Sequence, residues 1–239
     1  MEGVLHISKV QALLGRESPD VVCLQEAPES FQADLAHRGY ESTFAPMTIR
    51  TQQDKQFREG LITATRLPAD CSIEYYHGSS TTIVPHDYQA RLETVAHPLL
   101  AATMAHKSQP LRIVNIHMIV TPNGLSTDYQ TVGMRRLLEL LEPFPPHVLC
   151  GDFNMPRGFN ELYETVTNRY VDAVPRRYTS SLDKSLHRLG NSPDLTEPLF
   201  ESYMVDYIFT QPPYQAHDVR LEFGVSDHAA VIGEIAITQ

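Results

Sequence analysis

Apolar residues recur along this chain at two different spacings, and the switches between them divide it into elements. Ile7, Val10 and Leu14 lie three and four residues apart, which predicts a helix with Gly15 as its C-terminal stop. Pro19-Asp20 then leads into the apolar run Val21 to Leu24, read as a buried strand ending at Gln25-Glu26. Further strands are expected at 40–44, 60–66, 72–76, 92–96, 99–105 and 111–119, several rich in β-branched residues and bounded by Pro, Gly or Asp. Thr127 and Gln130 form a capping box, Met134, Leu137, Leu138 and Leu141 share one face, and Pro143 stops the helix they define. A strand at 147–150, a helix at 159–167 and strands at 204–210, 219–223 and 229–237 complete the pattern. The stretch 176–202 has no periodicity, and inside a compact domain such a connection is more often a functional loop than an accident.

Many strands with helices at irregular intervals fit an α+β or layered α/β arrangement, of which two stacked sheets covered outside by helices is one form. No repeat, low-complexity tract or linker-like break interrupts the chain, so residues 1–239 read as a single domain. At 42% hydrophobic content it can bury a substantial core. No apolar run approaches the roughly 20 residues of a membrane-spanning helix. The first residues lack a basic region followed by an apolar one, so a cytoplasmic location is expected. Cys23, Cys71 and Cys150 are odd in number and unclustered, which reads as reduced, structural thiols. The net charge of −10 argues against a protein that coats nucleic-acid backbones. It leaves a nuclease open, because a carboxylate cluster and a local basic rim can coexist with an acidic whole.

Five segments far apart in the chain end apolar strands with carboxylate, amide or imidazole groups: Leu24-Gln25-Glu26, Asn115-Ile116-His117, Gly151-Asp152-Phe153-Asn154, Met204-Val205-Asp206-Tyr207 and Ser226-Asp227-His228. Polar residues at the ends of neighbouring strands emerge together at the rim of a sheet, so one convergent site is expected. Each segment also has a plainer reading. Glu26 can pair with a surface cation, Gly151 to Asn154 can be an ordinary turn, His117 can be a core residue bonded to a carbonyl, and Glu59 can be a solvated strand flank.

Leu-Gln-Glu after one buried strand, Gly-Asp-Phe-Asn after another and Ser-Asp-His before the last, in that order, resemble the endonuclease/exonuclease/phosphatase (DNase I-like) superfamily, from about Ile7 to the C-terminus. The resemblance implies a four-layer α/β/β/α sandwich with the site at the top of the sheets. It also implies a Mg²⁺-dependent phosphoester hydrolase, with Mn²⁺ as the alternative ion and a nucleic acid or a small or lipid phosphodiester as substrate. In this reading Glu26 is a metal ligand, and Asp227 lies near that ion or a second one. Asp152 orients or deprotonates the attacking water. Asn154, two residues on along extended backbone and therefore on the same face, positions phosphate or water. His228 contacts the scissile phosphate, with Asp206 fixing its tautomer and raising its proton affinity, while His117 touches phosphate with support from Glu59. His6, His37, His77, His86, His97, His106, His147, His187 and His217 are read as surface or packing residues. Arg157, Arg176, Arg177 and Arg188 flank the site in sequence and are candidates to grip phosphate, with solvated loop charges as the plainer account. A monomer is expected.

One departure stands out: members of the superfamily usually open with a strand, whereas here the chain begins directly at the following helix. The expectation is therefore a sandwich lacking its usual first strand, through a start set too far downstream, a truncation or a weakly active form. A catalytically silent interaction module on the same fold is the rival reading.

Overall fold

The computed structural model describes residues 3–52, 54–106, 109–188, 190 and 198–238. The helix α1 (Ile7–Glu17) feeds β1 (Val21–Pro28), and α2 (Phe31–His37) leads into the long hairpin of β2 (Glu41–Gln52) and β3 (Lys55–Thr65). Next come β4 (Ala69–His77), the single turn α3 (Arg91–Thr94), β5 (His97–Met104) and β6 (Leu111–His117). The helix α4 (Asp128–Leu141) crosses over to β7 (Val148–Asp152), and α5 (Leu162–Thr167), β8 (Val171–Asp172), α6 (Pro198–Ser202), β9 (Asp206–Thr210), β10 (Tyr214–Glu222) and β11 (Ala230–Ile237) follow.

The strands form two stacked layers. One is a six-stranded sheet in the order β4-β5-β6-β7-β9-β8. Within it only β6 and β7 pair in parallel, which is why a helical crossover, α4, must join them. The other layer comprises the three-stranded set β1-β3-β2 and the hairpin β10-β11. Leu100, Met104, Ile113, Val148, Leu61 and Tyr214 pack between the layers. The helices α1 and α2 cover the outer face of β1 and β3 through Val10, Leu14, Phe31 and Leu35. On the opposite side Met134, Leu137 and Leu138 of α4 and Val166 of α5 cover the six-stranded sheet around Phe153, Tyr207 and Phe209. The result is the expected four-layer sandwich, and each helix packs through the apolar stripe that its sequence spacing provides.

Among the described residues β1 pairs only with β3, and β11 only with β10. Yet Val22 and Leu24 of β1 share one cluster with Ala230 and Ile232 of β11, while Val21 and Cys23 share another with Ile235 and Ile237. Side chains of the two strands therefore meet on both faces of the layer without any ladder bond between their backbones. Among the described residues this seam leaves the facing edges of β1 and β11 without ladder partners.

Several boundaries differ from the sequence reading. Gly15 lies inside α1, which stops at Ser18 in the left-handed conformation. Of the strand expected at 92–96, residues 92–94 instead belong to the helical turn Arg91–Thr94, and α2 went unpredicted because its seven residues carry too little periodicity. Thr127 does accept from the Gln130 backbone N–H at 3.3 Å, but the Gln130 side chain turns inward to the carbonyls of Ile119 and Asn154 instead of closing a capping box. Residues 189 and 191–197 of the aperiodic stretch fall outside the described residues. Cys23 and Cys150 are free thiols in the cluster between the layers, and Cys71 is exposed. No helix among the described residues is long and apolar enough to cross a membrane.

Gly151 locks the β6–β7 register next to the site. At φ 135° a Cβ on it would stand 2.0 Å from the Ile116 carbonyl oxygen, so a side chain can enter only by separating the two strands. We predict that Gly151→Ala destabilises the protein by about 3 kcal/mol or more. Urea denaturation measures this, and a midpoint equal to that of the parent chain would contradict it.

Candidate active site

Register decides which polar side chains meet. His117 stands opposite Asp152 in the parallel β6–β7 pair, and Asp152 stands opposite Asp206 in the antiparallel β7–β9 pair. Directly opposed residues point to the same face, so three strands place His117, Asp152 and Asp206 in one row at a strand end. From the second layer His228 closes on this row, its Nδ1 lying 2.8 Å from Asp206 Oδ2. One ligand atom from each of Asp152, Asp206 and His228 falls within 4.8 Å of the others.

Glu26 reaches the row from β1. The β1–β3 register slips between Leu24 and Ala27, and Glu26 has φ 50°, a left-handed value that costs a residue with a Cβ about 1–2 kcal/mol. Such a kink re-aims a side chain, and here the carboxylate lands 3.9 Å from Arg50 Nη2. Arg50 also bonds the buried Glu59 at 3.1 Å, so one guanidinium links two acids. Behind Glu26, Gln25 Nε2 donates to Asn115 Oδ1 at 2.6 Å, and Asn115, fully buried, donates to the Leu24 and Ile62 carbonyls. These bonds fix β1 against the six-stranded sheet.

The Asp227-His228 segment is held from a quarter the sequence reading left blank. The Asp183 N–H donates to the Asp227 carbonyl at 2.7 Å, and the Ala229 N–H to that of Ser181 at 2.7 Å. Ser181 Oγ accepts from the N–H groups of Val205 and Asp206 at 3.1 and 3.3 Å. Ser181 to Asp183 thus staples the His228 segment to the Asp206 strand. No periodic or motif signal marks these residues, because their role is made of long-range bonds, between backbones and through Ser181 Oγ.

The electrostatics follow from burial and proximity. For His228, burial opposes the proton, but the charge and hydrogen bond of Asp206, then Asp152 and Asp227, outweigh it and push the pKa up to about 10. The ring is therefore an imidazolium at neutral pH. Burial first, then the charge of Asp206, pushes Asp152 up to about 8 despite His228 and the Asn154 N–H. Burial and the neighbouring Glu26 similarly push Glu59 up to about 8, against the pull of Arg50. Burial works against ionisation of Glu26 as well, but the attraction of His117 and Arg50 prevails and holds it below the ordinary glutamate value. Asp227 is also held down, with burial overcome by His228 and by a 3.0 Å bond from Ser226 Oγ. His117 is depressed chiefly by burial. Its Nε2 lies 3.5 Å from Asp152 Oδ2, and its Nδ1 is buried without a partner.

Asp152 and Asp206 offer hard oxygen donors within 4.8 Å of each other and of His228, and the charges of Glu26 and Asp227 act on the same group. This donor set suits a divalent cation of the Mg²⁺ kind. His228 is a poor ligand despite its place in the cluster, since Nδ1 is committed to Asp206 and the ring keeps its second proton; it is a hydrogen-bond donor.

Two expectations need correction. Asp152 and Asn154 do not share an extended strand: β7 ends at Asp152, Phe153 enters the core, and Asn154 turns back at φ 48°. The Asn154 N–H donates to Asp152 Oδ1 at 2.8 Å and its side chain to the Met118 carbonyl at 2.9 Å, so an Asx-type turn, not pleat alternation, joins them. Glu59 does not support His117, because its carboxylate is taken by Arg50. Among the arginines, Arg157 is buried against Asp172 at 2.8 Å and the Val174, Pro175 and Tyr178 carbonyls, and Arg176 and Arg177 lie over Tyr163 and Tyr178. Arg188 alone lies over a ring beside the site, Tyr88. Of the histidines set aside, His97 and His147 are core residues, whereas His86 packs edge-on against Tyr88 at 4.4 Å and His187 feels the charges of Asp227 and His228.

Residues 3–228 match the Endonuclease/Exonuclease/phosphatase family. No curated protein matches the chain. Among solved structures, an endonuclease/exonuclease/phosphatase from Beutenbergia cavernae superposes with a TM-score of 0.68 at 17% identity, covering 98% of this chain and 67% of its own. The human Nocturnin catalytic domain with bound sulfate gives 0.68 at 18% identity, with 98% and 86% covered. D. rerio TDP2 complexed with single-strand DNA product gives 0.65 at 17% identity, with 98% and 94% covered. At these identities the structures establish a shared fold.

The His228–Asp206 bond carries a sign that can be tested. A histidine raised from 6.5 to about 10 adds stability that is complete below pH 6.5 and is lost as pH rises through 10. In Asp206→Asn the His228 titration, followed by imidazole NMR, should fall by about two units or more, and the loss of stability above pH 7 should flatten. An unchanged midpoint would show that Asp206 does not hold the proton.

Proposed function

This chain belongs to the endonuclease/exonuclease/phosphatase family, and on that footing we propose that it hydrolyses phosphoesters by Mg²⁺-assisted in-line attack of water. The observation that carries the reading is the row of Asp152, Asp206 and protonated His228 facing Glu26 and Asp227. A raised, buried carboxyl beside a permanently charged donor is an acid–base pair whose members have been driven apart by their surroundings.

In the proposed reaction a water oxygen attacks phosphorus, the ester P–O bond breaks, and the water proton passes to Asp152. Its elevated pKa makes it a stronger base than an ordinary aspartate. The Asn154 turn fixes the Asp152 carboxylate through its N–H. His228 donates to a non-bridging phosphate oxygen as charge builds there, and Asp206 keeps Nδ1 occupied so that Nε2 is the donor. His117, its pKa lowered chiefly by burial, stands opposite Asp152 and offers its ring to the phosphate. Glu26 and Asp227 would hold Mg²⁺, or Mn²⁺ in its place, which when bound neutralises phosphate charge and eases departure of the leaving oxygen. Glu59 acts at one remove, setting Arg50 against Glu26. A nucleic acid and a small or lipid phosphodiester both remain within this reading, since fold and metal site are shared across such substrates and specificity lies in loops.

The unpaired edges of β1 and β11 favour a second reading, a family member without turnover that serves as an interaction module. Calorimetric titration with Mg²⁺ alongside hydrolysis of bis(p-nitrophenyl) phosphate separates the two, because a silent module should neither bind the ion nor turn over.

With Mg²⁺ and that substrate, Asp152→Asn and His228→Ala should each lower kcat by about a thousandfold or more while thermal unfolding stays cooperative. Chelation should abolish the activity, and Glu26→Gln should raise the Mg²⁺ concentration needed for half-maximal rate. Near-parental turnover in either of the first two variants removes that residue from its role.

A further inference from the structure

The segment joining β4 to α3 is drawn against β2 by backbone bonds. The Ile49 N–H donates to the Val84 carbonyl at 3.0 Å, the His86 N–H to the Ile49 carbonyl at 2.9 Å, and Thr48 Oγ1 to the Val84 carbonyl at 3.0 Å. This docking presents Tyr88 beside Arg50, whose Nη1 donates to the Tyr88 hydroxyl at 3.1 Å. Tyr88 is nonetheless 57% exposed. A large ring held in place by a hydrogen bond and an edge-on His86, yet left in solvent, is a surface prepared for contact.

Three guanidinium carbons surround that ring: Arg50 at 5.5 Å, Arg91 at 5.3 Å and Arg188 at 5.5 Å from its centroid. Arg50 is neutralised by Glu59 and Glu26. Arg91 and Arg188 pair with no carboxylate among the described residues, although the chain carries a net charge of −10. Burial, with the like charges of Arg188 and Arg50, holds Arg91 below the ordinary arginine value, opposed by Glu26. Two cations that lack a carboxylate partner among the described residues and are gathered on one exposed ring are the arrangement that an oxyanion satisfies through charge-assisted bonds. The cluster borders the candidate active site: a single guanidinium, Arg50, bridges Tyr88 and Glu26, and the neighbour of Arg188 in the chain, His187, feels Asp227 and His228.

We propose that Tyr88, Arg91 and Arg188 form a subsite for a second phosphate, so that the substrate is a phosphoester carrying a further phosphate beside the scissile one. The word substrate rests on the hydrolase reading; the anion subsite itself does not. Arg91 and Arg188 grip the phosphate, and Tyr88 spaces the two guanidinium groups and offers its face to the moiety between the phosphates.

The test compares thymidine 5′-monophosphate with thymidine 3′,5′-bisphosphate by calorimetry on the full chain, with Ca²⁺ replacing Mg²⁺. It then compares hydrolysis of their 5′-p-nitrophenyl esters with Mg²⁺. The parent chain should bind the bisphosphate about tenfold tighter or more, and the R91Q/R188Q double variant should lose that advantage while keeping its affinity for the monophosphate. Arg188→Lys should retain part of the advantage. In turnover the loss should appear in KM for the bisphosphate ester, with kcat and the monophosphate ester unaffected. Equal affinities in the parent chain, an advantage that survives in the double variant, or equal losses on both probes would each overturn the subsite; the last would mark plain stacking or a general electrostatic effect. Selective binding without hydrolysis of either ester would sink the hydrolase reading and leave the subsite standing, whereas hydrolysis of both esters with equal efficiency and equal binding would do the reverse.

Discussion

The parallel pairing of β6 with β7, flanked by the antiparallel pairing of β7 with β9, is the constraint from which the candidate site descends. It sets His117, Asp152 and Asp206 abreast across three strands, residues that are 35 and 54 positions apart in the chain. A slip of one residue in either pair would send the intervening side chain to the opposite face. The register is guarded by Gly151, which no side chain can replace without meeting the Ile116 carbonyl, and by Phe153, whose ring is buried against Tyr207 and Phe209 immediately beyond Asp152. Packing and the candidate site are coupled here because Gly151, Asp152 and Phe153 both close the strand and fix the carboxylate at its end.

Burial then turns geometry into chemistry. The acids of this region would repel one another in water only weakly, but buried at a sheet rim Glu26, Glu59, Asp152 and Asp227 shift in opposite directions. Neighbouring cations hold Glu26 and Asp227 below their ordinary values, whereas burial drives Asp152 and Glu59 upward against the pull of His228 and Arg50. His228 takes the complementary role by keeping its proton. A divalent cation and an anionic substrate would each relieve part of the charge that the fold has crowded together.

The seam between β1 and β11 is the least expected feature energetically. Apolar side chains from both strands meet above and below it, so burial holds the two halves of the layer together where hydrogen bonds do not. Glu26 lies in β1 on one side of this seam, and His228 lies two residues before β11 on the other, bridged to Leu182. The site is consequently assembled from one rigid sheet, bearing Asp152 and Asp206, and two edge strands held chiefly by side-chain packing and by the Ser181–Asp183 staple.

The sequence by itself determined the layered fold class, most strands, the helix over 128–141 and the identity of the polar residues at strand ends. Those features rest on local periodicity and on short motifs such as Gly-Asp-Phe-Asn and Ser-Asp-His. The tertiary structure alone decided the partners: Glu59 with Arg50 and not His117, Asn154 in a turn beside Asp152 and not along a strand, Arg157 buried and Arg188 poised over Tyr88. The physical reason is range. Spacing along the chain records which side chains share a face of their own element, whereas pairing, pKa and access to substrate depend on which distant element arrives opposite, and that is fixed by packing and register across the whole molecule.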